Sequence, residues 1–176
     1  IPSQTGVNYS PAGIFEDTTQ IRRLVISGNY NACIDSGNIV QIDVIPYIVN
    51  ELITPDSAVC EGATPLPFNE LPASGGAGAY TYLWEFTPAG NILWQPAAGI
   101  NNTPSYTPMA LTESMLFRRV VGSEICTDYS DPVIMEAYPL LSNNRIGGNI
   151  QYTCFNTSRT INGSTPQGGD PDGAYR

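Results

Sequence analysis

The chain has 176 residues, a length that holds one or two domains, with 16 Asp and Glu against 7 Arg, no Lys and no His, for a net charge of −9. That balance repels phosphate backbones and anionic lipid, which argues against nucleic-acid and membrane-surface binding, and the missing His removes the commonest general base and metal ligand. Only 13% of residues are charged while Gly, Pro, Ser, Thr and Asn are plentiful, a composition of extracellular β proteins more than of cytosolic enzymes. With no initiator Met, no leader of signal type and no apolar run of spanning length, the sequence reads as an internal piece of a longer chain that does not insert into a membrane.

Residues 1–46 read as the last strands of a β-sandwich. Gln20 to Ser27 forms one strand, Gly28-Asn29-Tyr30-Asn31 is a turn signal, and Gly37 to Ile45 forms the closing strand with Val40, Ile42 and Val44 on alternate positions. The junction from Pro46 to Ala58 contains Tyr47-Ile48-Val49-Asn50-Glu51-Leu52-Ile53, too apolar for a free tether and expected to be a first strand or a packed hinge. In the central stretch, the glycine cluster Gly75-Gly76-Ala77-Gly78 leads into Tyr80-Thr81-Tyr82-Leu83-Trp84-Glu85-Phe86, whose aromatic residues alternate with the period of a half-buried strand. Trp84 is the expected core anchor. Met115 to Val121 and Val133 to Met135 are two further strands, and Asn149 to Phe155 with Thr157 to Ile161 restart the pattern near the end.

Internal repetition organises these elements. Asn8-Tyr9-Ser10-Pro11, Ile21-Arg22-Arg23-Leu24-Val25, Cys33 and Asp43-Val44-Ile45-Pro46 answer Ser105-Tyr106-Thr107-Pro108, Phe117-Arg118-Arg119-Val120-Val121, Cys126 and Glu136-Ala137-Tyr138-Pro139 at offsets of 93 to 97 residues. Downstream, Cys154 answers Cys60, and Gly168 to Tyr175 answers Gly75 to Tyr80. The expected fold is therefore all-β, built of tandem immunoglobulin-like sandwich repeats of about 95 residues. Residues 1–46 would be the back half of one repeat, 47–139 a complete repeat, and 140–176 the front half of a third.

The four cysteines occupy equivalent repeat positions, which points to disulfides in an oxidising compartment. Their spacing and the absence of His argue against zinc. A bond within the repeat joins Cys60 to Cys126, whereas bonds across the junctions join Cys33 to Cys60 and Cys126 to Cys154. Spacing recurs equally under both schemes. The first lets each repeat fold alone, but in a simple sandwich the two cysteines can lie at opposite ends, too far apart to bond.

In each Arg pair, one side chain must point inward and the other out. The inward one needs a carboxylate or carbonyl partner, and a cross-strand ion pair is the structural reading; contact with a ligand through Arg118 or Arg119 is the functional one. Trp94, with Tyr82 and Tyr106, is a candidate aromatic platform for sugar. Asp128 with Asp131, and Asp170 with Asp172, place carboxylates near tight turns that hold either solvent or Ca²⁺. No nucleophile with a base, no phosphate loop and no fixed acid pair can be assembled, so an enzyme is not expected.

The ordered set Cys60-Glu61-Gly62, Gly75 to Trp84, Tyr106-Thr107-Pro108, Phe117 to Val121, Cys126 and Ser130-Asp131-Pro132-Val133 resembles the immunoglobulin-like or PKD-like repeats of giant cell-surface proteins in Bacteroidota, including SprB-type gliding adhesins and other substrates of the type IX secretion system. The double Arg departs from the Thr/Val-rich strand more usual in SprB-type repeats. The resemblance implies export to the cell surface and a role as stiff spacer and adhesive surface. Its partners would be neighbouring repeats and a polysaccharide or solid substrate. It also implies O-glycans on Thr18 and Ser57, which follow Asp in Asp17-Thr18-Thr19 and Asp56-Ser57-Ala58. The alternative expectation is an accessory carbohydrate-binding module of a secreted polysaccharide-degrading enzyme.

Overall fold

The computed structural model describes residues 6–28, 33–53 and 58–173, without the side chains of 52, 53, 69 and 70. The turn expected at Asn29-Tyr30-Asn31, the candidate glycan acceptor Ser57 and the tail residue Tyr175 fall outside these residues. The described residues form ten strands and no helix. They divide into two compact units, 1–46 and 47–176.

The first unit is an antiparallel hairpin of β1 (Thr19–Ser27) and β2 (Cys33–Ile42). Its register runs from Thr19 opposite Ile42 to Ser27 opposite Cys33, with an irregularity between Arg22 and Leu24. The closing strand therefore begins at Cys33 and ends at Ile42, not at Gly37 and Ile45, because β1 starts at Thr19 and offers later residues no partner. Val25, Ile26, Ile34 and Val40 remain about half exposed, at 48–60%. A two-stranded ribbon cannot bury either of its faces by itself.

The second unit is built on a larger sheet. Its strands are β4 (Ala58–Cys60), β6 (Thr81–Pro88), β7 (Gln95–Pro96), β8 (Met115–Ser123), β9 (Cys126–Tyr129) and β10 (Val133–Tyr138), in the order β4-β10-β8-β6-β7, with β9 also paired to β8. All neighbours are antiparallel except β4, which runs parallel to β10. A two-stranded ribbon of β3 (Leu52–Ile53) and β5 (Asn69–Glu70) stands apart from this sheet.

Strand β8 is the axis of the unit, and its burial alternates as a one-sided strand requires. Phe117, Arg119, Val121 and Ser123 are buried while the residues between them are half-buried. Opposite them on β6 stand Phe86, Trp84 and Tyr82, the alternating aromatics of the sequence. Phe68, the residue before β5, closes over this face, with ring centroids 5.1 Å from Trp84 and 5.3 Å from Phe117. Tyr106 stacks on Trp84 at 5.5 Å, and Leu111 and Met135 complete the main core. The polar edges of these rings are satisfied: Trp84 Nε1 donates to the Thr103 carbonyl at 2.9 Å and the Tyr106 hydroxyl to that of Ala98 at 2.9 Å. A smaller cluster of Ile48, Ala73 and Val121, with Tyr80, Tyr82 and Cys126, lies towards the other end of the sheet.

One core atom breaks the pattern. Thr87 Oγ1 is buried and finds no hydrogen-bond partner among the described residues. An unmade bond at a buried hydroxyl costs about 1–3 kcal/mol, whereas Val has the same shape without the polar atom. Thr87→Val is expected to raise the unfolding free energy by about 1 kcal/mol in urea titration, and a loss of similar size would show that the hydroxyl is satisfied in solution.

Backbone geometry recurs along the chain at the offset of the sequence repetition. Ile21 opposite Val40, Leu24 opposite Ser36 and Ser27 opposite Cys33 match Phe117 opposite Val133, Val120 opposite Tyr129 and Ser123 opposite Cys126. The irregularity beside Arg23 falls where β8 changes partner from β10 to β9, at Arg118 and Arg119. Downstream, the bridge Val49–Ser74 matches Ser142–Gln167. Gly75 has a φ of +76° and passes so close to Tyr47 that a Cβ would overlap the Tyr47 carbonyl oxygen; Gly168, at +85°, meets the Leu140 carbonyl in the same way. Glycine is needed at both places for sign of φ and for space.

The strands expected at 149–155 and 157–161 are not formed. This stretch, residues 149–161, forms no bridge of its own and is only flanked by the isolated bridges Ser142–Gln167 and Ile146–Gly163. Its counterpart β4 is a strand because β10 lies beside it, and no strand of the described residues lies beside 152–154.

Candidate functional site

The two arginines of β8 part company as adjacent strand residues must. Arg119 points into the interior and is fully buried. Its Nε donates to Asn50 Oδ1 at 2.7 Å, Nη1 to the Pro104 carbonyl at 3.1 Å, and Nη2 to the carbonyls of Glu51 at 3.2 Å and Leu71 at 3.0 Å. Asn50 Nδ2 returns a bond to the Arg119 carbonyl at 2.8 Å, and the guanidinium lies 5.7 Å from the Tyr82 ring and 5.9 Å from that of Trp84. Arg119 thus ties three separate segments, at 50–51, 71 and 104, to the sheet and is not placed to touch a ligand. Ligand contact, the functional reading of Arg119, is closed off by this burial.

Arg118 faces outward. It is directly opposite Glu85 on β6 and binds that carboxylate through Nε at 2.8 Å and Nη2 at 2.7 Å. The guanidinium also sits between two rings, 4.2 Å from the centroid of Trp94 and 4.6 Å from that of Tyr129. Trp94, Arg118, Glu85 and Tyr129 therefore form one cluster on the outer face of the sheet, and it contains two of the three residues nominated for ligand contact. Its chemistry is already internally matched, cation to carboxylate and cation to π faces. The three-ring platform expected around Trp94 is not assembled, because Tyr106 is buried in the core. Tyr82 packs instead with Tyr80 against the Val121 cluster.

The acidic candidates lie apart. Asp131 is exposed and lines a shallow cleft with Asn50, Glu51 and Val133, while Asp128 is half-buried on β9, its carbonyl accepting from Asn50 Nδ2 at 3.4 Å. Asp170 Oδ1 accepts the backbone N–H of Asp172 at 2.9 Å, so this carboxylate closes its own turn. No group of three potential metal ligands occurs among the described residues. Nearby, the Tyr138 hydroxyl donates to Glu136 Oε2 at 2.6 Å. That bond, with burial and the negative charge of Asp170, Glu136 and Asp172, pushes its pKa up to about 12.

All four cysteines are free thiols. The bond within the repeat, Cys60 to Cys126, is excluded by the topology. Cys60 pairs beside Tyr138, past the Met115 end of β8, while Cys126 pairs with Ser123 at the other end. The length of β8 alone, roughly 25 Å at about 3.3 Å per residue, separates them, against the 4.4–6.8 Å between Cα atoms that a disulfide needs. Cys126 and Cys154 are likewise unbonded. The candidate glycan acceptor Thr18 is exposed in the first unit, its Oγ1 accepting the Val44 N–H at 3.5 Å.

The sequence reading missed Asn50 as the partner of the inward arginine, and Glu85 and Tyr129 as partners of the outward one. A signal for Asn50 was present: Asn143 stands at its repeat position. No curated protein matches this chain. A family model described as a domain of unknown function, DUF8696, matches residues 49–139, just over half of the chain, and spans every strand of the larger sheet with its buried arginine. The chain belongs to the DUF8696 family.

Proposed function

We propose that the chain is a non-enzymatic segment of a long, exported cell-surface protein. In this reading, tandem immunoglobulin-like sandwiches serve as a stiff spacer and present adhesive surfaces to polysaccharide, solid substrate or other cells. The observation that carries the reading is a double recurrence: strand register is shared by the first hairpin and the β8 region, and bridge and glycine geometry by residues 47–75 and 140–168. A chain that spends its length repeating one scaffold gains reach and many copies of a surface, and such arrays gain stability from neighbour contacts. The outer cluster of Trp94, Arg118, Glu85 and Tyr129 supports a structural brace, since the cation occupies the ring faces on which a sugar would stack.

A glycan array probed with the purified chain tests this against the accessory-module alternative. No specific signal is expected. A signal lost in Trp94→Ala would move the chain to the sugar-binding class. Chelation provides a second check: the acidic turns are read as solvated, so EDTA is expected to leave the melting temperature unchanged. A fall on chelation would assign a structural Ca²⁺. Under the same proposal, Thr18 and Ser57 carry O-glycans in protein from its native cells, and intact-mass analysis showing unmodified peptides at both sites would remove that part.

A further inference from the structure

The chain enters the larger sheet at one end and leaves it at the other. Ile48 packs beside Val121, towards the Ser123 end of β8, and Asn50 stands at Arg119, so the entering segment runs antiparallel to β8 towards Met115. Strand β10 also runs antiparallel to β8, from Val133 opposite Phe117 to Met135 opposite Met115, and carries the chain out beyond that end at Tyr138. Entering and leaving segments therefore point the same way. They meet where β4 lies beside β10, the one parallel pairing of this sheet among the described residues, with Ala58, Val59 and Cys60 opposite Glu136, Ala137 and Tyr138.

This arrangement decides how the fold meets tension. A pull along the chain draws β4 backwards by its N-terminal side and β10 forwards by its C-terminal side. Parallel neighbours pulled from opposite ends slide along each other, so all the bonds between them are strained at once, whereas a hairpin pulled at its open end parts one bond at a time. Two further ties share the load. The turn after β4 donates the Glu61 N–H to the Tyr138 carbonyl and the Gly62 N–H to the Leu111 carbonyl, each at 2.7 Å. Upstream, Asn50 Oδ1 accepts from Arg119 Nε at 2.7 Å and its Nδ2 donates to the Arg119 carbonyl at 2.8 Å, both bonds buried. Val59 and Ala137 pack against the main core, where hydrogen bonds are stronger and water cannot readily replace them.

We propose that β4, β10 and the Asn50–Arg119 pair form a mechanical clamp, which keeps this unit folded when the chain is pulled along its length. The inference deepens the spacer reading and rests on it for the source of the pull, since a spacer joining a cell to a surface carries tension through each of its units.

Stretching single copies of the full chain between their termini tests the proposal. The second unit is expected to open in one step that lengthens the chain by roughly 300 Å, at about 3.3–3.6 Å for each of residues 47–138. Moving one handle from the C terminus to Ile125, an exposed residue in the β8–β9 turn at the entry end, is expected to lower the opening force clearly, because β10 is then no longer pulled. Glu61→Pro removes the N–H bonded to Tyr138 and suits its turn. The Ala63 N–H closes that turn on the Cys60 carbonyl at 2.9 Å and Gly62 has a φ of +81°, the form that favours Pro at its second position. Near-ultraviolet circular dichroism of the Trp84 core checks that the variant folds, and at the same force it is expected to open about 10-fold faster. Arg118→Ala is the control: its bond to Glu85 joins β8 to β6, off the loaded path, so opening is expected within about 2-fold of wild type. The same force from both attachments would overturn the proposal. So would wild-type opening rates in Glu61→Pro, or an equal effect in Arg118→Ala. Should Glu61→Pro not fold, the two attachments decide alone. Each of these results leaves the cell-surface reading standing, since that reading is tested on cells.

Discussion

Arg119→Ala is expected to lower the unfolding free energy of the second unit by about 3–5 kcal/mol, the scale for removing one member of a buried, hydrogen-bonded charged cluster. The guanidinium is the donor for Asn50 Oδ1 and for the carbonyls of Pro104, Glu51 and Leu71. Alanine leaves the Asn50 Oδ1 buried without its donor, at about 1–3 kcal/mol, and frees three carbonyls in part-buried bonds that water can reach in part. Arg119→Lys is expected to rescue little, because one ammonium cannot reproduce a planar fork directed at four groups. The neighbouring Arg118→Ala is the control. Its ion pair with Glu85 is partly exposed and its ring contacts add modestly, so about 1 kcal/mol is expected. Urea titration of the two variants checks the contrast. Equal losses would mean that the inward and outward roles are not distinct in solution.

Trp84→Ala is expected to cost about 3–5 kcal/mol, the range for truncating a large buried aromatic. The indole touches Phe68 and Tyr106, lies directly across from Arg119, and holds the 103 loop through its Nε1. Domains of this size are stable by about 5–15 kcal/mol in total, so the variant sits near the edge of folding. Trp84→Phe keeps the stack but loses the bond to Thr103, and is expected to fall between alanine and wild type. Thermal unfolding followed by circular dichroism, which needs no tryptophan signal, checks the series. A cost under about 1 kcal/mol for the alanine variant would show that the core closes without it.

Much of this arrangement was legible in the sequence because it depends on period. The alternation of Tyr82, Trp84 and Phe86 places three rings on one face, and β6 carries them so. The double Arg demands one inward and one outward side chain, which is what β8 provides. Partners across long sequence separations were not legible. The inward arginine is satisfied mainly by loop carbonyls, which carry no residue signature, and by Asn50, which sits 69 residues away in a run that reads as apolar. The outward arginine binds Glu85 and the rings of Trp94 and Tyr129 because β6, β8 and β9 adjoin, a fact of strand order and not of spacing. Topology likewise separates Cys60 from Cys126, because a recurring spacing says nothing about distance across the sheet. The strands expected after residue 149 fail for a related reason: a strand is a property of a pair, and periodicity describes only one member.

Whether this chain is an exposed part of a cell-surface array is tested most directly by labelling the cells that make it. An antibody raised against residues 47–139 should bind intact cells, and external protease should remove the signal before any cytoplasmic marker is lost. Signal that appears only after lysis, with the epitope protected from added protease, would contradict placement at the cell surface.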